Sequence, residues 1–112
     1  MHEYSIAYDL YATARSAALE HNATRVKKVS VEMGKMAMVN SEQVTFLFDT
    51  IKEEDPLFSN TLLECSEVEP QTTCSCGYSG SEIFVCPMCG ALPEVIKGRE
   101  VCVTNIEIEV KD

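Results

Sequence analysis

Four of the six cysteines, Cys74, Cys76, Cys86 and Cys89, crowd into one short segment, and their spacing is that of metal ligands. Cys86-Pro87-Met88-Cys89-Gly90 reads as a zinc-knuckle hairpin, in which two thiolates two residues apart approach one ion and the tight turn aims backbone N–H groups at the sulfurs. Cys74-Ser75-Cys76-Gly77 supplies a second pair, with one intervening residue and a short separation to Cys86. Four soft ligands form a closed tetrahedral set with no open position for a substrate, so the expected ion is a structural Zn(II). A site that recruits Cys65 or Cys102 in place of one of the four stays open, as does iron, because ligand type alone does not separate the two metals.

The second candidate lies at the start of the chain. A free α-amine at Met1, the backbone nitrogen of His2 and its imidazole form fused chelate rings around one ion, and Glu3 or its amide completes a square-planar N,O set. Ni(II) and Cu(II) favour that geometry, whereas zinc prefers a tetrahedron. A bulky second residue should hinder removal of Met1. A site built from the terminus at the head of a helix is exposed, which suits an ion that is handed onward.

Other residues of chemical interest have plainer readings. Met33, Met36 and Met38 read as flexible apolar filler beneath a helix before they read as copper thioethers. Cys65 and Cys102, on strands flanking the cysteine segment, are expected as small buried hydrophobes. His21 falls where a helix carboxyl terminus would attract it. Tyr4, Tyr8 and Tyr11 are packing or rim residues.

The elements that position these groups follow from periodicity. Ile6, Ala7, Leu10, Tyr11, Ala14, Ala17 and Ala18 line one face of a helix over residues 4–22. From Val26 to Met33 the pattern becomes alternation, with Val29, Val31 and Met33 on one side, which predicts a half-buried strand ending at Gly34. Asn40 with Gln43 resembles a capping box ahead of Val44, Leu47, Phe48 and Ile51, a second helix that should stop near Asp55-Pro56. Thr61–Val68 reads as a second strand, and Val101, Val103, Ile106, Ile108 and Val110 mark a third with a slip near Thr104-Asn105.

Residues 70–99 hold Gly77, Gly80, Gly90, Gly98, Pro87 and Pro93, too many turn formers and too few apolar residues for a core of their own. The metal is the expected staple. The architecture predicted is α+β: a small three-stranded sheet packed with two helices, plus an inserted zinc-ribbon-like module. Residues 1–69 together with 100–112 are expected to form the α+β domain that carries the N-terminal Ni(II) or Cu(II) chelate, and 70–99 the zinc-binding module.

Composition narrows the function classes. The 112 residues carry 9 Lys and Arg against 18 Asp and Glu, a formal charge of -9, which disfavours docking to nucleic acid or to an anionic membrane. No stretch approaches the ~20 apolar residues of a membrane-spanning helix. The opening residues lack the basic lead and apolar core of a secretory signal, so the cytoplasm, where thiols stay reduced, is the expected location. No nucleophile–base pair and no open metal position argue for an enzyme.

With Met1-His2-Glu3-Tyr4-Ser5 at the start, a Val-rich strand ending in Met33-Gly34-Lys35 and two cysteine pairs near the end, the chain resembles the HypA/HybF family of hydrogenase nickel-insertion proteins over essentially its whole length. The resemblance implies that His2 is the essential nickel ligand, with Glu3 and the Met1 amine contributing, and that the cysteine pairs hold a structural zinc. It implies delivery of Ni(II) to the large subunit of a [NiFe]-hydrogenase, together with a HypB-like GTPase. No Gly-x-x-x-x-Gly-Lys-[Ser/Thr] loop is present, so nucleotide chemistry belongs to a partner. One departure stands out: the family usually has Cys-x-x-Cys in the first pair, whereas here Thr73 takes the expected first position and Cys74 is displaced by one. A homodimer and a urease client stay open. The competing reading is a zinc-ribbon interaction or transcription-associated module, which the acidic balance disfavours, and a third is a thiol-based electron carrier.

Overall fold

The computed structural model describes residues 3–111. Helix α1 runs Glu3–Glu20 and buries Ala7, Leu10, Ala14 and Ala18. Their spacing of three or four residues keeps one stripe inward, and three of the four being alanine lets the helix axis come close to what lies beneath. The helix ends where the His21 N–H donates to the carbonyls of Ala17 and Ala18 and Asn22 turns left-handed at φ 58°.

Strand β1 (Ala23–Gly34) follows, then helix α2 (Ser41–Lys52) and strand β2 (Leu62–Val68). Asn40 caps α2, its side chain accepting from the Gln43 N–H at 3.1 Å, which is the forward half of the anticipated capping box. Val44 and Phe48 bury the inner face of α2. Asp55 then caps a 3-10 turn over Pro56–Phe58 by accepting from the Leu57 N–H at 3.0 Å, and places Phe58 in the core with its ring 5.0 Å from Tyr11 and 6.1 Å from Phe48.

β1 is the centre of a three-stranded sheet in the order β2-β1-β6, where β6 spans Val101–Val110. β2 lies parallel to β1, as a crossover through α2 requires, and β6 is antiparallel. The slip expected near Thr104-Asn105 is a bulge: Ser30 faces Asn105, Val31 faces Val103, and Thr104 is left over, its hydroxyl donating to the Ser30 carbonyl. Two further bulges, at Thr24 and Lys27, lie on β1 itself. The second explains why Val26 and Val29, three residues apart, both point into the core. The helices cover one face of this sheet. The other carries polar groups such as the Lys28–Glu64 ion pair at 3.4 Å.

Between β2 and β6 the chain builds a second sheet of short strands, β3 (Gln71–Thr73), β4 (Ser79–Gly80) and β5 (Glu94–Lys97), in the order β4-β3-β5. Its apolar content is small, as the composition of 70–99 demands. Thr72 is buried at its centre, and its hydroxyl donates to the Gly80 carbonyl at 3.1 Å. The chain extends 57 × 28 × 16 Å with a radius of gyration of 17.5 Å, against about 13 Å for a rounded domain of this length. Among the described residues no helix is long and apolar enough to cross a membrane.

The structure departs from the sequence expectation at the methionines and at Cys102. Met33 is core, but Met36 is only half-buried and Met38 is 87% exposed at a left-handed φ of 55°, so the trio is not filler beneath one helix. Cys102 is exposed, on the outer face of β6 opposite Glu32, and not a buried hydrophobe. The bulge at Thr104 does not reach it: Cys102 alternates with the inward Val101 and Val103. Cys65 is half-buried against the core, and burial pushes its thiol up.

Candidate metal centre

Each cysteine pair sits in a turn that ends on a glycine. In the second, the Gly90 N–H donates to the Cys86 carbonyl at 2.9 Å and the Cys86 N–H to the Ala91 carbonyl at 2.7 Å. In the first, the Gly77 N–H donates to the Cys74 carbonyl at 2.9 Å and the Cys74 N–H to the Tyr78 carbonyl at 2.9 Å. The glycine immediately after the second cysteine has positive φ in both turns, +101° at Gly77 and +79° at Gly90, a region that L side chains rarely enter. The two turns therefore share one plan, the first shortened by one residue. That shortening absorbs the displaced Cys74 and keeps its sulfur aimed at the others.

The four sulfurs lie within 4.8 Å of one another, with Cys74 Sγ 3.4 Å from Cys89 Sγ and Cys76 Sγ 3.6 Å from Cys86 Sγ. A tetrahedron with Zn–S bonds of ~2.3 Å has edges of ~3.8 Å, so the quartet has the dimensions of a closed zinc site. Cys74 and Cys86 are buried, Cys76 and Cys89 exposed, which places the cluster at the surface with its inner half sealed. The Met88 N–H points at Cys86 Sγ at 3.4 Å, the amide-to-sulfur contact that a thiolate ligand uses.

Crowding also separates the thiols electrostatically. Burial pushes Cys86 up, but the backbone N–H groups of Cys89 and Met88 and the thiols of Cys76 and Cys74 outweigh it and bring Cys86 down to about 7. The Ala91 backbone contact favours the thiolate at Cys89, yet the Cys74, Cys76 and Cys86 sulfurs beside it push Cys89 up to about 12. A cluster that resists full ionisation by itself is one that a divalent cation neutralises.

Of the residues anticipated as nickel ligands, Met1 and His2 lie outside the described residues. Glu3 opens α1, where a carboxylate meets the positive end of the helix dipole. Tyr4 and Tyr8 are exposed on the same helix, as rim residues should be. Tyr11 is different: its hydroxyl donates to Asp55 Oδ2 at 2.5 Å, and Arg15 Nε reaches the same oxygen at 3.2 Å. This tie between α1 and the end of α2 escaped the sequence reading, since Asp55 carried only a helix-stop signal and its partners lie 40 or more residues away. Cys65 and Cys102 are not part of the sulfur cluster.

Residues 1–108 match the family model HypA, described as hydrogenase/urease nickel incorporation, metallochaperone. The chain is 38% identical to a hydrogenase maturation factor HypA of Methanocella arvoryzae, over 98% of this chain and all of that one. It is 31% identical to the HypA of Methanosarcina barkeri, over 100% of this chain and 98% of the relative. Among solved structures, that of the Ni metallochaperone HypA from Helicobacter pylori superposes with a TM-score of 0.78 at 21% identity, over 99% of this chain and 100% of that one, a likeness of fold.

Proposed function

This chain belongs to the HypA family of nickel metallochaperones of hydrogenase maturation, and from that premise we propose that it takes up Ni(II) at its first three residues. The Met1 α-amine, the His2 backbone nitrogen and imidazole, and Glu3 form the donor set, and the ion is cargo. Zn(II) is the resident metal, held by Cys74, Cys76, Cys86 and Cys89; it cross-links two turns and supplies no reaction step. Residues 1–69 with 100–112 act as the nickel-handling part and 70–99 as the zinc part.

The observation that carries this reading is the closure of the sulfur cluster. Four thiols within 4.8 Å saturate one tetrahedral ion among themselves. Nickel in transit needs a second donor set with exposed, exchangeable positions, and a planar N,O set at the chain start has that character. Partners are hydrogenase-related: we assign the receiving surface to the large subunit of a [NiFe]-hydrogenase and the nucleotide chemistry to a HypB-like GTPase. The chain acts as a carrier and not as an enzyme, in the cytoplasm, where the thiols stay reduced.

Isothermal titration of Ni(II) into the untagged, zinc-loaded protein tests this. About one Ni(II) per chain should bind, and His2→Ala should abolish it while zinc content stays unchanged. Nickel affinity retained in His2→Ala, or nickel displacing zinc from the thiols, would overturn the assignment.

A further inference from the structure

The second cysteine turn presents large apolar side chains that the metal site does not use. Phe84 is 75% exposed, Val85 55%, Met88 76% and Leu92 77%. The Cys86 N–H to Ala91 carbonyl bond closes the neck of this turn; Val85 and Leu92 are the residues just outside the bonded pair, Phe84 precedes Val85, and Met88 lies in the turn itself. A closed hairpin held by sulfur ligation has no core into which these side chains retreat. Four large apolar side chains left exposed on one short hairpin of an acidic protein mark a place where something docks.

Charge says what docks. Between Lys52 and Lys97 the chain contains no Lys, Arg or His, and Glu82 and Glu94 flank the hairpin. Four thiolates around one divalent ion add further negative charge. A second copy of this chain would bring the same acidic rim and a formal charge of -9 against itself. A cationic segment with apolar anchors meets both features at once: its aliphatic or aromatic residues cover Phe84, Val85, Met88 and Leu92, and its Lys or Arg residues reach the acidic rim.

We propose that the tip of the four-cysteine module, Phe84, Val85, Met88 and Leu92 within the rim of Glu82 and Glu94, is a docking surface for a cationic amphipathic segment of a partner protein. The surface requires a closed hairpin and is independent of where nickel binds.

The test uses the full-length, zinc-loaded protein and a fluorescent synthetic helix of Leu and Lys at i, i+3, i+4 spacing, with a counterpart in which every Lys is Glu. The Lys peptide should bind at least about tenfold more tightly than the Glu peptide, and the Phe84→Ser/Leu92→Ser double variant should weaken it about tenfold with zinc content intact. Tyr4→Ser/Tyr8→Ser, on the exposed face of α1, should leave it unchanged. Should the first variant lose zinc, Glu82→Lys/Glu94→Lys decides, and it should reverse the preference between the two peptides. His2→Ala should bind the Lys peptide as wild type does, so failure of the nickel assignment and failure of this one are separate results. Equal affinity for the two peptides, full affinity in zinc-loaded Phe84→Ser/Leu92→Ser, or a self-associated wild type that this double variant makes monomeric would overturn the proposal.

Discussion

A β-carbon on Gly34 would stand 2.1 Å from the carbonyl oxygen of Gly98, so the end of β1 and the exit of the second sheet cross backbone against backbone. The Gly34 N–H donates to the Glu100 carbonyl at 2.7 Å and the Met36 N–H to the Gly98 carbonyl at 2.8 Å, fixing the crossing. Gly34 has φ -64°, which any residue adopts, so space and not conformation demands glycine there. Gly98 has φ +112°, and a β-carbon on it would meet Pro70 Cα at 2.7 Å.

Gly34→Ala should therefore destabilise the fold by about 1–3 kcal/mol, the ordinary cost of overpacking against atoms that cannot yield. Gly98→Ala meets both a clash and an unfavourable φ and should cost more. Urea midpoints of the two variants check this. A Gly34→Ala midpoint equal to wild type would mean that the two backbones part freely.

The four clustered thiols and the two outside them should separate cleanly in metal content. Serine at Cys74, Cys76, Cys86 or Cys89 removes one of four ligands and should release zinc to a competing chelator, whereas Cys65→Ser and Cys102→Ser should hold it. Metal analysis after dialysis reads the difference. Zinc kept in Cys74→Ser but lost in Cys65→Ser would transfer the ligand role to Cys65. In the wild type, chelation should also open residues 70–99 to protease, because the short strands there bury little apolar surface besides the two inner cysteines.

The sequence carried the helices and the large sheet because their signals are local and periodic. The stripe of Ala7, Leu10, Ala14 and Ala18, the cap at Asn40 and the slip at Thr104 all lie within a few residues of the groups they order. The bulge at Lys27 had no such signal, because it exists only against the register of β6. The strands of the second sheet are two to four residues long, too short for alternation to register. The sulfur cluster was legible from spacing, and its one anomaly, the displaced Cys74, resolves only when the shortened turn to Gly77 is seen. The tie of Tyr11 to Asp55 is a pure tertiary fact that no window of sequence contains.

Zinc uptake should be coupled to protons. Crowding splits the thiols, with Cys86 brought down to about 7 and Cys89 pushed up to about 12, and ligation takes all four sulfurs as thiolates, so zinc binding at neutral pH should release protons. Calorimetry of zinc uptake in buffers of different ionisation enthalpy counts them. Uptake with no proton release would contradict ligation by the four sulfurs as thiolates.

Acid should loosen the tie between α1 and the end of α2. Burial pushes the Asp55 carboxyl up, but the Tyr11 hydroxyl, the Leu57 N–H and Arg15 outweigh it and hold the carboxyl below its ordinary range. The hydrogen bond to Asp55, with burial added, raises Tyr11 in turn. A group whose folded pKa is depressed stabilises the fold fully above its unfolded value of ~3.9 and loses that stabilisation as pH falls through the folded value. Stability should thus fall on acidification below about pH 4, and Tyr11→Phe should reduce that dependence while costing about 1–2 kcal/mol at neutral pH through the lost hydrogen bond to a charged acceptor. Arg15 is half-exposed, with its side chain at 47%, so Arg15→Ala should cost less than Tyr11→Phe and should fade further in high salt. Urea midpoints of the three proteins at neutral and acidic pH measure all of this. A Tyr11→Phe variant with the full acid dependence of wild type would show that Asp55 is held ionised by something other than the hydroxyl that reaches it.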